Sequence, residues 1–328
     1  MKTATTSHDH APGRRIPPDR LSAPVAGPLP ALAAGLAALL VIGAALALLP
    51  APAAAAEAER NTPTVTSLRL RMATMGQVFL YPPTVPMTEG AGAVLFFSGD
   101  WGWRPVQQET ASWLANHGRY VVGIDATEYF SRKLEPPDWV RDLKTLRAFV
   151  NEKAGLPADT PVLLIGYTWG AELVPYMLNR GGAQGFAGAL LIGPDEDSAC
   201  VYRVTLQMKA KPIPSPPDEQ FRVPDELRRM APIPTVFMQG EIDVESRAAA
   251  LVDLVRGPHK FVSIPGADKQ FRDVRDVYFS LVGQALAWIE GPHPPGGETA
   301  APRPQPAAPP AAGSGSAPPR APRPAPSR

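Results

Sequence analysis

Several residue types that build common kinds of site are scarce in this 328-residue sequence. The single cysteine, Cys200, excludes an intramolecular disulfide and a cysteine-rich metal site, and we expect a small packed residue there. The 32 basic and 31 acidic residues almost cancel and form no basic run, so charge excludes nucleic acid as the main partner. We expect neither a metal nor a cofactor.

The N-terminus carries an export pattern. Three arginines between residues 14 and 20 precede an uncharged run that extends to residue 56 and ends in alanines. Residues 1–56 therefore predict a cleaved signal peptide. If the alanine-rich exit is not cut, residues 29–49 are long enough to anchor the chain in the inner membrane. In both cases we expect the domain in the periplasm or elsewhere outside the cytoplasm.

The C-terminal segment, residues 292–328, contains 13 prolines and no large apolar residue. Such a composition buries too little surface to offset the entropy of ordering, so it predicts a disordered tail. Between the two ends, residues 57–291 are long enough for one large core, and we expect a single domain there.

Within this domain, short apolar runs alternate with helical patterns, which predicts a mostly parallel sheet covered on both faces. Residues 68–72 and 78–81 predict an antiparallel opening hairpin, and residues 198–224 predict a lid or cap loop. The predicted core strands are residues 93–97, 120–124, 162–165, 187–192, 235–238 and 260–264. The predicted helices are residues 106–117, 139–152 with Asp138 as N-cap, 169–179, 246–255 and 273–290.

A strand, a tight turn and a helix meet at the sequence Gly-Tyr-Thr-Trp-Gly, residues 166–170. This is the context in which G-x-S-x-G forms a nucleophile elbow. The central residue here is Thr168, and the elbow position usually needs a positive φ, which a β-branched residue adopts only under strain. Its hydroxyl is also a hindered nucleophile that needs a base within hydrogen-bond reach.

The histidine that usually supplies this base is not found where it is expected. The loop after the last predicted strand, residues 265–271, contains no histidine. His8 and His10 precede the export segment, and His293 opens the tail. His117 closes a helix, and His259 lies at the far end of the last strand, so we expect neither of them at the elbow.

An acid remains in the expected place, at Asp243 after the strand at residues 235–238. The alternative is that Asp243 caps the helix predicted to start near Ser246. After the first core strand, a loop with Ser98, Asp100 and Trp101 predicts an oxyanion side and ligand contacts. Trp169, next to the elbow, is predicted to line the same pocket.

Several of these segments together resemble the AcvB/VirJ family of bacterial virulence proteins. They are Ser98-Gly99-Asp100 with Gly102-Trp103, residues 122–125 with Tyr129-Phe130, residues 163–167 with Gly170-Ala171 and Pro175, and Gly240-Glu241 with Asp243. The resemblance implies a periplasmic α/β-hydrolase fold, an ester substrate such as an aminoacylated phospholipid, and a link to virulence or type IV secretion. The family's serine falls on Thr168, and its loop histidines fall among residues 268–270.

Three functional hypotheses follow. In the first, a degenerate hydrolase binds a lipid head group, an ester, a peptide or a partner protein of the envelope or of a secretion system, without cleaving it. In the second, Thr168 is the nucleophile of an active esterase, Asp243 is its acid and Lys269 is its base, with a pKa lowered by burial. In the third, the chain is a structural envelope domain tethered by its tail.

Overall fold

The computed structural model describes residues 65–87, 89–203 and 216–293. The whole predicted export segment, the tail from residue 294 onward and the middle of the predicted lid lie outside these residues. Those predictions and the domain boundaries therefore stay predictions. Among the described residues, no helix is both long enough and apolar enough to cross a membrane.

In the residues that the structure describes, ten strands form two sheets. They are β1 (Leu68–Met72), β2 (Gly76–Tyr81), β3 (Val94–Phe97), β4 (Val121–Ile124), β5 (Val162–Tyr167), β6 (Phe186–Ile192), β7 (Asp197–Ala199), β8 (Gln220–Arg222), β9 (Thr235–Gly240) and β10 (His259–Ile264). The large sheet has the order β1-β2-β4-β3-β5-β6-β9-β10. Its opening hairpin is antiparallel and β2 runs antiparallel to β4, whereas all later neighbours are parallel. The predicted mostly parallel sheet is therefore confirmed.

Seven α-helices surround the sheet in the described part of the chain. They are α1 (Pro105–Asn116), α2 (Ala126–Tyr129), α3 (Pro136–Ala154), α4 (Trp169–Gly181), α5 (Val223–Arg229), α6 (Ala248–Leu251) and α7 (Arg275–Glu290). Short 3₁₀ turns at Val252–Leu254 and Arg272–Val274 adjoin α6 and α7. Asp138 was predicted to cap α3, but the helix begins at Pro136 after Glu135, because proline is well tolerated at the first helical position.

The buried residues form one core on each face of the sheet. Along β3, Leu95 and Phe97 belong to the core that includes α3 and α4, and Val94 and Phe96 belong to the core that includes α1 and α7. This alternation follows from the two-residue period of a strand. The strands are apolar on both faces because helices cover both, which is why they appear in the sequence as continuous apolar runs.

The region predicted as a lid contains regular structure where it is described. Here β7 and β8 pair as a small antiparallel sheet, and α5 follows directly. Cys200 is buried next to β7, as expected for a packed residue. The six parallel strands β4, β3, β5, β6, β9 and β10 end at the same edge of the large sheet, so the loops that follow them converge there.

Candidate active site

The elbow, residues 166–170, has the backbone geometry of a nucleophile turn. β5 ends at Tyr167, α4 begins at Trp169, and Thr168 between them has φ 46° and ψ −113°. A Cβ added to Gly170 would lie 2.5 Å from the carbonyl oxygens of both Phe97 and Ser98, so only glycine allows this approach. Because its φ is positive, Thr168 itself occupies a conformation that costs a β-branched residue about 1 to 3 kcal/mol.

The hydroxyl of Thr168 is not set up for attack. Its Oγ1 is buried and has no hydrogen-bond partner. The oxygen faces Gly99, where an added Cβ would overlap it, whereas the methyl carbon Cγ2 lies 3.7 Å from the position of a Cβ on Gly193. The hydroxyl and the methyl group therefore point to different sides of the elbow.

Asp243 lies on the methyl side. Its Oδ1 accepts the backbone N–H groups of Glu245 at 3.2 Å and Ser246 at 3.3 Å, and its Oδ2 lies 3.6 Å from the same Cβ position on Gly193. Oδ1 thus closes the turn before α6, but Asp243 is not the N-cap, because the helix begins at Ala248 after Arg247. Oδ2 lies toward the methyl side of the elbow. Burial raises the pKa of Asp243, and the two backbone N–H groups partly offset this.

Lys269, the predicted base, is engaged elsewhere. Its Nζ donates to Glu245 Oε2 at 2.7 Å, and 37% of its side chain is exposed. No hydrogen bond joins it to Thr168, whose hydroxyl has none. The burial that the base hypothesis assumed for Lys269 is therefore absent, because the side chain lies at the cavity wall in an ion pair.

The loop after β10, residues 265–271 and here named the last loop, is held tightly against the elbow. The Tyr167 hydroxyl donates to the carbonyl oxygen of Lys269. Phe271 has φ 54° and stacks on Tyr278 with the ring centroids 4.3 Å apart. Burial raises the pKa of Tyr167, which keeps its hydroxyl protonated for this bond. The backbone frame of the loop is thus fixed although it carries no histidine.

A cavity of about 610 Å³ lies at this edge of the sheet. Six of the seven predicted site residues line it: Asp100, Trp101, Thr168, Trp169, Asp243 and Lys269. Ser98 does not line the cavity, so its predicted ligand contact is wrong. Ser98 is fully buried, and its Oγ accepts the Ala126 N–H at 3.0 Å. The hydroxyl therefore points toward α2 and not toward the cavity.

The two tryptophans differ in exposure. Trp101 is 50% exposed at the cavity wall. Trp169 is only 4% exposed, and its Nε1 donates to the Ala199 carbonyl at 2.9 Å. Trp169 therefore ties the elbow helix to the small β7–β8 sheet, and Trp101 is free to contact a ligand.

Sequence reasoning missed a buried acidic group that lines the cavity. Glu172, 8% exposed, lines the cavity and accepts the Asp195 backbone N–H at 3.1 Å. Burial raises the pKa of Glu172 to about 7, with a further contribution from the charge of Asp195. The signal was present in the sequence, since Glu172 follows Thr168 by four residues and so lies one helical turn away on the same face.

None of the histidines in the described residues lines the cavity. The Nδ1 atoms of His117 and His259 contact the carbonyls of Trp113 and Gly257, and Nε2 of His293 contacts that of Ile289. Within the same residues, no group of three or more His, Cys, Asp or Glu side chains is arranged to hold a metal ion.

The family model of the bacterial virulence protein VirJ matches residues 92–185. The chain resembles the VirJ family. The matched region begins just before β3 and ends just before β6, so it contains the elbow and the loop after β3. Asp243 and the last loop lie beyond it. No curated protein sequence matches the chain significantly.

Solved structures show that the VirJ-like region belongs to an α/β-hydrolase fold. Est1E from Butyrivibrio proteoclasticus has a TM-score of 0.50 and 10% identity, and the match covers 68% of this chain and 98% of that one. A soluble variant of monoglyceride lipase from Saccharomyces cerevisiae, in complex with a substrate analog, has a TM-score of 0.50 and 12% identity, with 70% and 97% coverage. At these identities the likeness establishes the fold alone.

Proposed function

We propose that this chain is an exported VirJ-like domain that binds a ligand in an α/β-hydrolase cavity without efficient turnover. The observation that carries the proposal is the unpartnered Thr168 hydroxyl. A hydroxyl becomes a nucleophile only when a base takes its proton, and this one touches no base. The export pattern of residues 1–56 supports a periplasmic location.

The groups around the elbow offer no simple replacement for the missing base. Asp243 Oδ2 faces the Thr168 methyl side, and the Lys269 amine is paired with Glu245. Restoring a base requires two changes together, a rotation of Thr168 and release of Lys269 from its ion pair. Loss of base and nucleophile function costs several orders of magnitude in rate in enzymes of this type.

The ligand that we propose is a lipid head group or another ester. The cavity walls carry both carboxylates and basic groups next to the exposed ring of Trp101, which suits a polar head group with an apolar part. An envelope or secretion-system protein as partner is supported only by the family resemblance.

The alternative is an active esterase in which Thr168 attacks. It is favoured by one observation, the retained strained turn at Thr168, because strained backbone persists most often at functional sites. In the first turn of α4, the N–H groups of Ala171 and Glu172 donate to the Thr168 carbonyl, which leaves those of Trp169 and Gly170 as the donors that adjoin the elbow, as donors to an oxyanion would.

Rates with p-nitrophenyl and lipid esters separate the two functions. For a binding domain, Thr168→Ala should leave any hydrolysis within about twofold of the wild type, since binding and backbone donors alone can sustain a weak background. Lys269→Ala should do the same. A wild-type rate that falls about a hundredfold in both variants would establish the threonine–lysine mechanism instead.

A further inference from the structure

The first strand, β1, lies at one edge of the large sheet. It pairs only with β2, in an antiparallel register that sets Leu68 opposite Leu80 and Met72 opposite Gly76. Alternate residues of such a strand direct their N–H and C=O groups away from the neighbouring strand. Within the residues that the structure describes, no other strand pairs with β1. Its outer side therefore presents a row of backbone donors and acceptors.

The two faces of β1 have different chemistry, and both are exposed. Leu68 and Leu70 share one face and are 61% and 41% exposed. Arg69 and Arg71 share the other face and are exposed as well. The strand at the opposite edge of the sheet, β10, is better covered, since only two of its six residues are exposed. Of the two edges, β1 is thus the one that offers an apolar face, a basic face and an open backbone together.

The charges on the basic face are available to a partner. Arg69 forms no ion pair within the described residues, and its guanidinium carbon lies 5.8 Å from the ring centroid of Phe79. Arg71 Nη1 lies 3.6 Å from Glu128 Oε2, and 78% of the Arg71 side chain is exposed. An ion pair that is this exposed is weak, so Arg71 can exchange Glu128 for a better placed carboxylate.

A second copy of the chain does not suit this edge. An antiparallel copy centred on Leu70 would set Arg69 of each chain opposite Arg71 of the other, and like charges directly opposite each other are destabilising. Arginines on an edge strand therefore oppose pairing between identical strands. The same two arginines attract a strand that carries carboxylates at the facing positions.

We propose that the outer edge of β1 binds an extended acidic segment of a partner protein, which joins the large sheet as a further strand. The main chain of the segment bonds the open backbone row. Its acidic side chains face Arg69 and Arg71, and the alternate apolar side chains face Leu68 and Leu70. This inference goes beyond the proposed cavity function and does not rest on it, since no residue of β1 lines that cavity.

A synthetic peptide in which glutamate alternates with valine tests this surface, because it presents one acidic and one apolar face. Fluorescence anisotropy of the labelled peptide with the full chain should show saturable binding. A peptide of the same composition with the glutamates and valines in separate blocks should bind about tenfold or more weakly, because neither face is continuous. N-methylation of the inner peptide bonds should abolish saturable binding, because it removes the backbone donors and keeps the charge. These comparisons use the wild type alone.

Two charge reversals locate the site on the sheet. Arg69→Glu sets a carboxylate against the acidic face of the peptide and should weaken binding about tenfold or more. Lys260→Glu is the matched control, because Lys260 is exposed on β10 at the opposite edge. Binding to this control should stay within about twofold of the wild type.

Equal binding of the alternating and block peptides, equal weakening by the two reversals, or no saturable binding of the alternating peptide would overturn the proposal. A dimer of the chain whose formation excludes the peptide would also overturn it, because a second copy would then occupy the edge. Ester hydrolysis is a separate measurement at the cavity, so failure of the proposed function would leave the peptide result readable.

Discussion

The elbow and the loop that carries Asp243 line the same cavity and differ in what each has retained. At the elbow, the backbone keeps the strained turn, but the Thr168 hydroxyl faces Gly99 and has no partner. At Asp243, one oxygen is bonded to the backbone and the other lies toward Gly193 and the methyl side of Thr168. The site thus keeps the backbone frame throughout and a usable acceptor on one side only, which favours binding over turnover.

The frame at the elbow depends on close approach of backbone to backbone. Gly170→Ala would place a Cβ 2.5 Å from two carbonyl oxygens that cannot move independently of β3. We expect the free energy of unfolding to fall by about 4 kcal/mol or more, the range of severe steric substitutions. Chemical denaturation of the wild type and of Gly170→Ala measures this loss in the free energy of unfolding.

Gly90→Ala is the matched control for Gly170→Ala. Gly90 has φ 73° and open space around its Cβ position, so only the backbone penalty of about 1 kcal/mol applies. Equal losses in the two variants would show that the packing at the elbow is not tight.

Glu172, on the elbow helix, should make stability depend on pH. Its pKa is raised from 4.5 to about 7, so the folded state binds a proton that the unfolded state has released between these pH values. The wild type should therefore lose stability as the pH rises from about 4.5 to 7. Glu172→Gln should be the more stable form above pH 7 by up to about 3 kcal/mol and equal at pH 4.

Thermal unfolding of both proteins between pH 4 and 8 tests this difference. Glu152→Gln is the control, because 72% of the Glu152 side chain is exposed and it pairs only with its neighbour Lys153. A Glu172→Gln difference that does not change with pH would contradict the assignment of the buried carboxyl.

The smallest expected effect concerns strain at Thr168. Thr168→Gly should raise the free energy of unfolding by about 1 kcal/mol, because the strain relieved exceeds the added chain entropy of glycine. Thr168→Val keeps a β-branched side chain at φ 46°, so its free energy of unfolding should rise less than that of Thr168→Gly. A loss of stability in Thr168→Gly would mean that the hydroxyl or methyl group makes a contact worth more than the strain.

The fold was more predictable from the sequence than the site. Apolar runs such as β3 and β5 are buried on both faces, so their pattern is local and strong. The short elements α2, β7 and α5 were missed because tertiary contacts rather than local periodicity hold them. The placement of Thr168 and Asp243 followed from the parallel topology, since both follow strands that end at one edge.

The side-chain details could not be predicted in the same way. The rotamer of Thr168 depends on the approach of Gly99, which is 69 residues away in the chain. The pairing of Lys269 with Glu245 depends on how the last loop meets the loop after β9. Both are contacts between segments that are distant in the chain. They decide whether Lys269 can reach the Thr168 hydroxyl or is held by Glu245 instead.

The most direct test of the central claim is to restore the chemistry within the retained frame. Position 269 is the place for a histidine, because its side chain already reaches the loop of Asp243 through Glu245. We predict that Thr168→Ser with Lys269→His raises kcat/KM on a p-nitrophenyl ester about a hundredfold or more over the wild type, and that Thr168→Ser alone changes it less than about tenfold. A full increase in Thr168→Ser alone would contradict the account, because it would prove that a base is already in place.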